Sequence, residues 1–129
     1  FFNKGYLKNK LYNTASVELE LKSQIQDAKA RLLKAKEDLA LLKSRGEYDP
    51  LKIEVKNRYF SDIYSLLSLY NEGCDKYFRH AVKSDSFKKL YLNEIISIFK
   101  SKDYITIIRQ NNFEYLSRFY LSYCNEQKN

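Results

Sequence analysis

The chain has a single histidine, His80, six residues after Cys74, and a thiol beside an imidazole is the pairing that makes a thiolate nucleophile. Six helical positions turn the two side chains to different faces, and no Asn or Asp stands at a spacing that would orient the imidazole. The adjacent carboxylates Glu37 and Asp38 diverge around a helix, as do Glu18 and Glu20, so neither pair suits acid–base catalysis. Cys74 and Cys124 form no CxxC and no Cys/His ligand set, which argues against zinc. Both read as free thiols that behave as small apolar residues. The sequence therefore predicts no catalytic residue, no metal ligand and no cofactor.

The spacing that does carry chemistry is basic. Lys22, Lys29, Lys36 and Lys43 recur every seven residues, and only a long helix lines up such a row. Helix formers run unbroken from an N-cap at Asn13 or Thr14 to Arg45, and Gly46 supplies a C′ stop. Inside this helix Leu21, Ile25, Ala28, Leu32, Ala35, Leu39 and Leu42 alternate at spacings of four and three, a heptad a/d seam that Thr14 and Glu18 break upstream. In that register all four lysines fall at e, and the g positions hold Val17, Gln24, Arg31, Asp38 and Arg45. A parallel homodimer would set mostly repulsive or neutral pairs against one another, and an antiparallel one would set Lys against Lys. Homodimerisation through the seam is thus disfavoured, and the next helix of the same chain is expected to cover it. Leu19, Leu33 and Ala40 form a second, exposed apolar strip. The candidate partner-binding set is Lys22, Lys29, Lys36, Lys43, Leu33 and Ala40.

The elements that must hold this row can be read in turn. Asp49 is a good N-cap and Pro50 suits position N1, so the short link after Gly46 makes an antiparallel hairpin. The second helix is expected to run from Pro50 to Glu72 and to stop at Gly73. Its centre, Tyr59–Tyr70 (YFSDIYSLLSLY), is apolar or aromatic except for a narrow stripe of Ser61, Asp62, Ser65 and Ser68. A helix with so thin a wet stripe must be covered on several sides, and the stripe is the natural partner of buried tyrosine hydroxyls. Beyond Gly73, Asp75 caps a short helix through Val82. Ser84-Asp85-Ser86 then caps another whose Phe87, Leu90, Tyr91, Ile95, Ile98 and Phe99 share a side. Tyr104–Ile108 (YITII) reads as helix despite its β-branched residues, because a lone strand would have no partner. Asn111-Asn112 kinks or splits the last helical stretch, and helical spacing resumes over Phe113–Tyr123. The expected fold is all-α: a long, coiled-coil-like antiparallel helical hairpin packed on a small bundle of about three further helices. Residues 1–48 form the N-terminal segment and first hairpin helix, and residues 49–129 form the bundle, in one continuous domain.

Composition bounds the function. With 44% hydrophobic and 30% charged residues the chain is globular, and three Gly with one Pro favour long helices. The net charge of +7 is concentrated in the N-terminal third, where Lys4, Lys8 and Lys10 stand without an acid. No apolar run of about 18 residues would span a membrane. The opening FFNKGY without Met reads as an excised or processed start, with Phe1-Phe2 as one candidate stump of an unseen span. The compartment is left open by the sequence, with a cytoplasmic setting slightly favoured over an extracytoplasmic segment that follows such a span. Twelve Tyr and eight Phe beside a basic excess invite a nucleic-acid reading. Yet Tyr59, Tyr70, Tyr91, Phe99, Phe119 and Tyr123 fall on faces expected to be buried, and no helix-turn-helix or RNA-recognition signature is present. The expectation is a non-enzymatic protein–protein interaction or scaffolding domain whose basic hairpin binds an acidic or amphipathic partner. Nucleic-acid binding through the N-terminal lysine stripe ranks second.

Overall fold

A computed structural model describes the backbone of residues 2–128 and the side chains of residues 13–128. Lys4, Lys8, Lys10 and the Phe1-Phe2 pair lie outside the described side chains. Among the described residues there are five helices and no strand: α1 (Phe2–Leu41), α2 (Pro50–Phe78), α3 (Ser84–Ile98), α4 (Lys102–Gln110) and α5 (Glu114–Lys128). The architecture is the expected one, with α1 and α2 forming a long hairpin on a small bundle of three shorter helices. Its antiparallel course is marked by Asp38 meeting Arg58 near the turn and by Leu21 meeting Gly73 far from it.

Close packing of small residues sets the hairpin. Leu21, Ile25, Ala28, Leu32 and Ala35 are buried along the predicted seam, with Leu39 packed at its edge. The alanines let the α2 backbone approach, and Val55, Tyr59, Ile63, Leu66, Leu67, Tyr70 and Cys74 fill the α2 side. Ile63 and Leu67 are fully buried, at 0% exposure, and each such side chain contributes roughly 1.5–3 kcal/mol by burial. YFSDIYSLLSLY is therefore the hub it was expected to be. One of its residues departs: Tyr64 is half exposed, with its ring tilted on Phe113 at 5.6 Å.

Several boundaries move, each for an identifiable reason. Asn13 and Thr14 are not a cap, because α1 already runs through them. The end of α1 tightens through i→i+3 bonds, Leu42 N–H to Leu39 C=O and Lys43 N–H to Ala40 C=O. The helix thus closes before Gly46, which has no positive φ. Asp49 does cap α2, accepting from Leu51 N–H at 2.9 Å and Lys52 N–H at 3.3 Å. Gly73 does not end α2; it lies inside it, buried, where an added Cβ would sit 3.1 Å from both Leu21 Cδ2 and Phe87 Cε2. Glycine is there for close approach, not for a turn. With α2 continuing to Phe78, the separate helix expected over 75–82 does not exist. Asp75 instead pairs with Arg79 on the same helix at 2.9 Å. The left-handed cap falls on His80, whose φ is 60°. Ala81 N–H bonds Lys76 C=O and His80 N–H bonds Tyr77 C=O, the paired bonds of a Schellman end.

The three short helices close over α2. Phe87, Tyr91, Ile95 and Ile98 are buried on α3, whereas Leu90 faces out. YITII is helical within α4, with Ile107 buried and Thr106 Oγ1 turned back to Lys102 C=O. The chain splits at Asn111, and α5 starts afresh after Phe113. Its first turn has no side-chain cap of its own, because Phe113 cannot accept; Asn71 Oδ1, from α2, accepts from both Tyr115 N–H and Leu116 N–H at 3.0 Å. An aromatic cluster of Tyr77, Phe87 and Phe119, with rings 5.1–5.5 Å apart, joins α2, α3 and α5. Arg118 lies 4.0 Å over the Phe78 ring at its edge. Cys74 and Cys124 are both free, the first buried and the second half-buried.

Candidate functional groove

The face of α1 that carries Lys29, Leu33 and Lys36 does not stand clear of the bundle. It forms one wall of a hollow of about 620 Å³, with α2 as the floor and the end of α3 and start of α4 opposite. Buried Leu32, Leu66 and Ile98 and the tyrosines Tyr59 and Tyr70 make an apolar bed. A second hollow of about 390 Å³ adjoins it towards the hairpin turn, sharing Lys36 and Tyr59. Its other lining residues are Leu39 and Ala40 from α1, Lys43 from the turn that follows it, Lys52 and Lys56 from α2, and Asp103 from α4. Together they make a groove along the hairpin. From Lys29 to Lys43 the wall made by α1 and the turn after it measures about 21 Å.

Two carboxylates face this groove, and each is held by a tyrosine. Tyr59 Oη donates to Asp103 at 2.8 Å. Tyr70 Oη donates to Glu94, which also pairs with Lys29 Nζ. Burial, reinforced by these carboxylate partners, pushes both tyrosine hydroxyls well above their ordinary value. The serine stripe does not serve them, contrary to expectation. Ser65 and Ser68 turn back to the Ser61 and Tyr64 carbonyls of their own helix, the usual local alternative for a helical serine. Tyr91 Oη, buried on α3, has no hydrogen-bond partner among the described residues.

The six candidate binding residues separate on this geometry. Leu33, Lys36, Ala40 and Lys43 line the groove and are exposed. Lys29 lines it too, but it is not a free cation, because Glu94 answers it across 65 residues. Lys22 is exposed on α1 away from both hollows, as is Leu19. Lys52 and Lys56 of α2 are groove residues that the heptad argument does not find. Lys52 Nζ also donates to Arg45 C=O at 2.9 Å, which fixes its position beside the turn. On the opposite flank of the hairpin Asp38 accepts from Lys34 at 3.0 Å and pairs with Arg58. The Lys34 bond, followed by the Arg58 bond against some desolvation, holds its carboxyl below the ordinary range.

The supposed chemical pairs are not assembled. Cys74 is buried in the core with its thiol pushed up by burial, while His80 is exposed at the end of α2. Among the described residues no three His, Cys, Asp or Glu side chains cluster as metal ligands, and no helix is long and apolar enough to cross a membrane. Tyr59, Tyr70, Tyr91 and Phe119 are core residues, Phe99 is half-buried and stacked on Tyr120 at 4.1 Å, and Tyr123 is half-buried. No protein-family model, curated protein or solved structure matches the chain.

Proposed function

We propose that this chain is a non-enzymatic protein-interaction module that seats an acidic, amphipathic helix of a partner protein along the α1/α2 hairpin. The observation that carries the reading is a groove with an apolar bed and exposed lysines on its walls. Apolar area gives a helix-in-groove contact its affinity, and matched charge gives it orientation and speed. Leu33, 57% exposed at the lip, is the kind of aliphatic side chain that a docked helix covers. The groove length of about 21 Å matches roughly four turns of helix.

The test is fluorescence anisotropy with a synthetic amphipathic helix of about that length, leucines on one face and glutamates on the other. A single-stranded oligonucleotide serves as competitor. The peptide binds, and Leu33→Asp with Lys36→Glu lowers its affinity at least tenfold while circular dichroism stays unchanged, on the scale of buried-anchor loss. Two results overturn the reading. One is a double variant that binds as tightly as the parent. The other is an oligonucleotide that binds better than the peptide and whose log affinity falls with log salt at a slope of about −0.7 per phosphate contact.

A further inference from the structure

Charge is unevenly distributed along the groove. In the larger hollow Lys29 is answered by Glu94, which leaves Lys36 as its other cation, and Leu32, Leu33, Leu66 and Ile98 supply its aliphatic surface. The smaller hollow is lined by Lys36, Lys43, Lys52 and Lys56 and by a single carboxylate, Asp103, which already accepts the Tyr59 hydroxyl. Three of those lysines, Lys36, Lys43 and Lys56, are exposed.

From this asymmetry we infer that the groove is polarised and recognises a partner helix whose two ends differ: an apolar end lies over Leu33 and Ile98, and a carboxylate-rich end lies over Lys36, Lys43, Lys52 and Lys56. The inference rests on the protein-interaction reading above and adds to it the composition and placement of the ligand. It also redraws the basic site. Lys29 is an internal tie between α1 and α3, Lys22 lies outside, and two lysines of α2 take their places. Physically, a carboxylate brought to the Lys29 end meets a cation whose field Glu94 has already cancelled. At the other end it meets four lysines that line one hollow with a single carboxylate among them, an excess of positive charge that attracts an anion.

The experiment uses the full chain and two synthetic helical peptides of identical composition. In one the leucines are grouped at one end and the glutamates at the other; in the second the same residues alternate along the helix. Each end of the segregated peptide carries a photo-crosslinking residue in turn. The segregated peptide is expected to bind about tenfold tighter than the alternating one, the sum of a few partly exposed ion pairs. Its glutamate end should crosslink within residues 36–56 and its leucine end within residues 29–33 or 94–98. Lys43→Glu with Lys56→Glu removes that preference, whereas Lys22→Glu leaves it within twofold, both variants keeping the parent helical spectrum. Equal affinity for the two peptides, or crosslinks that do not sort by end, overturns the polarity while leaving the interaction reading standing. Failure of both peptides to bind overturns both.

Discussion

Asn71 is the smallest part of this molecule on which an entire helix depends. Its Oδ1 accepts the second and third N–H groups of α5, at 3.0 Å each, from a position on α2. Replacing it with Ala removes an N-cap, which by itself costs about 1 kcal/mol. The larger part comes from Leu116, a fully buried residue at 0% exposure, whose N–H water cannot readily reach; a stranded buried donor costs roughly 1–3 kcal/mol. The expected loss is therefore about 2–3 kcal/mol, a fall in Tm of roughly 7–11 °C for a domain of this length. Asn71→Asp keeps the acceptor and places negative charge at the start of α5, where it is favourable by about 0.3–1 kcal/mol, so that variant should match or exceed the parent. Asn57→Ala, on the exposed side of the same helix, is the control and should be near neutral. Urea and thermal unfolding give the energies, and hydrogen exchange reports the Tyr115 and Leu116 amides directly. An Asn71→Ala variant within about 0.5 kcal/mol of the parent would refute the capping argument, given the usual cost of a lost cap. So would an Asp variant as damaged as the Ala one.

The backbone and the buried tyrosines give two further expectations. His80 holds a left-handed φ of 60°, a conformation that costs a side chain about 1 kcal/mol, so His80→Gly should raise stability by roughly 0.5–1 kcal/mol in urea while His80→Val lowers it. For Tyr59 and Tyr70, raised by burial and then by Asp103 and Glu94, the sign is fixed: the unfolded hydroxyl loses its proton near pH 10 and the folded one does not. Folding stability from these groups is complete below about pH 10 and declines as pH rises beyond it. The last part of the tyrosinate absorbance should then appear only together with loss of helical ellipticity, and full ionisation in a chain still helical would contradict the burial argument.

What the sequence makes legible depends on how far along the chain each residue's partners stand. The heptad of α1, the Asp49–Pro50 start of α2 and the apolar hub all act through neighbours three, four or seven positions away, so their consequences can be read from spacing alone. Gly73 cannot be read that way, because a glycine that stops a helix and a glycine that lets Leu21 and Phe87 come to 3.1 Å are the same letter until the facing elements are known. Asn71 and Glu94 belong to the same class. Each answers a group dozens of residues away, and nothing local distinguishes either from an ordinary polar residue on a helix surface. The serine stripe misleads for the converse reason: it lies on the same helix as the tyrosines, but helical geometry turns its hydroxyls back to their own carbonyls.

The lysine groove lies between these cases. The α1 row is readable, because a heptad fixes which face Lys36 and Lys43 occupy. The α2 contribution is readable in principle, since in an antiparallel hairpin residues equidistant from the turn become neighbours. That rule, applied outward from Gly46–Asp49, sets Lys52 near Lys43, Lys56 near Ala40 and Tyr59 near Lys36, and these are residues that line the smaller hollow together. The same rule pairs Asp38 with Arg58 and Leu21 with Gly73. What it cannot supply is the third wall. Glu94 from α3 and Asp103 from α4 arrive through the packing of the bundle on α2, and it is their unequal effect, one cancelling Lys29 and the other leaving the lysines of the smaller hollow in excess, that gives the groove a direction.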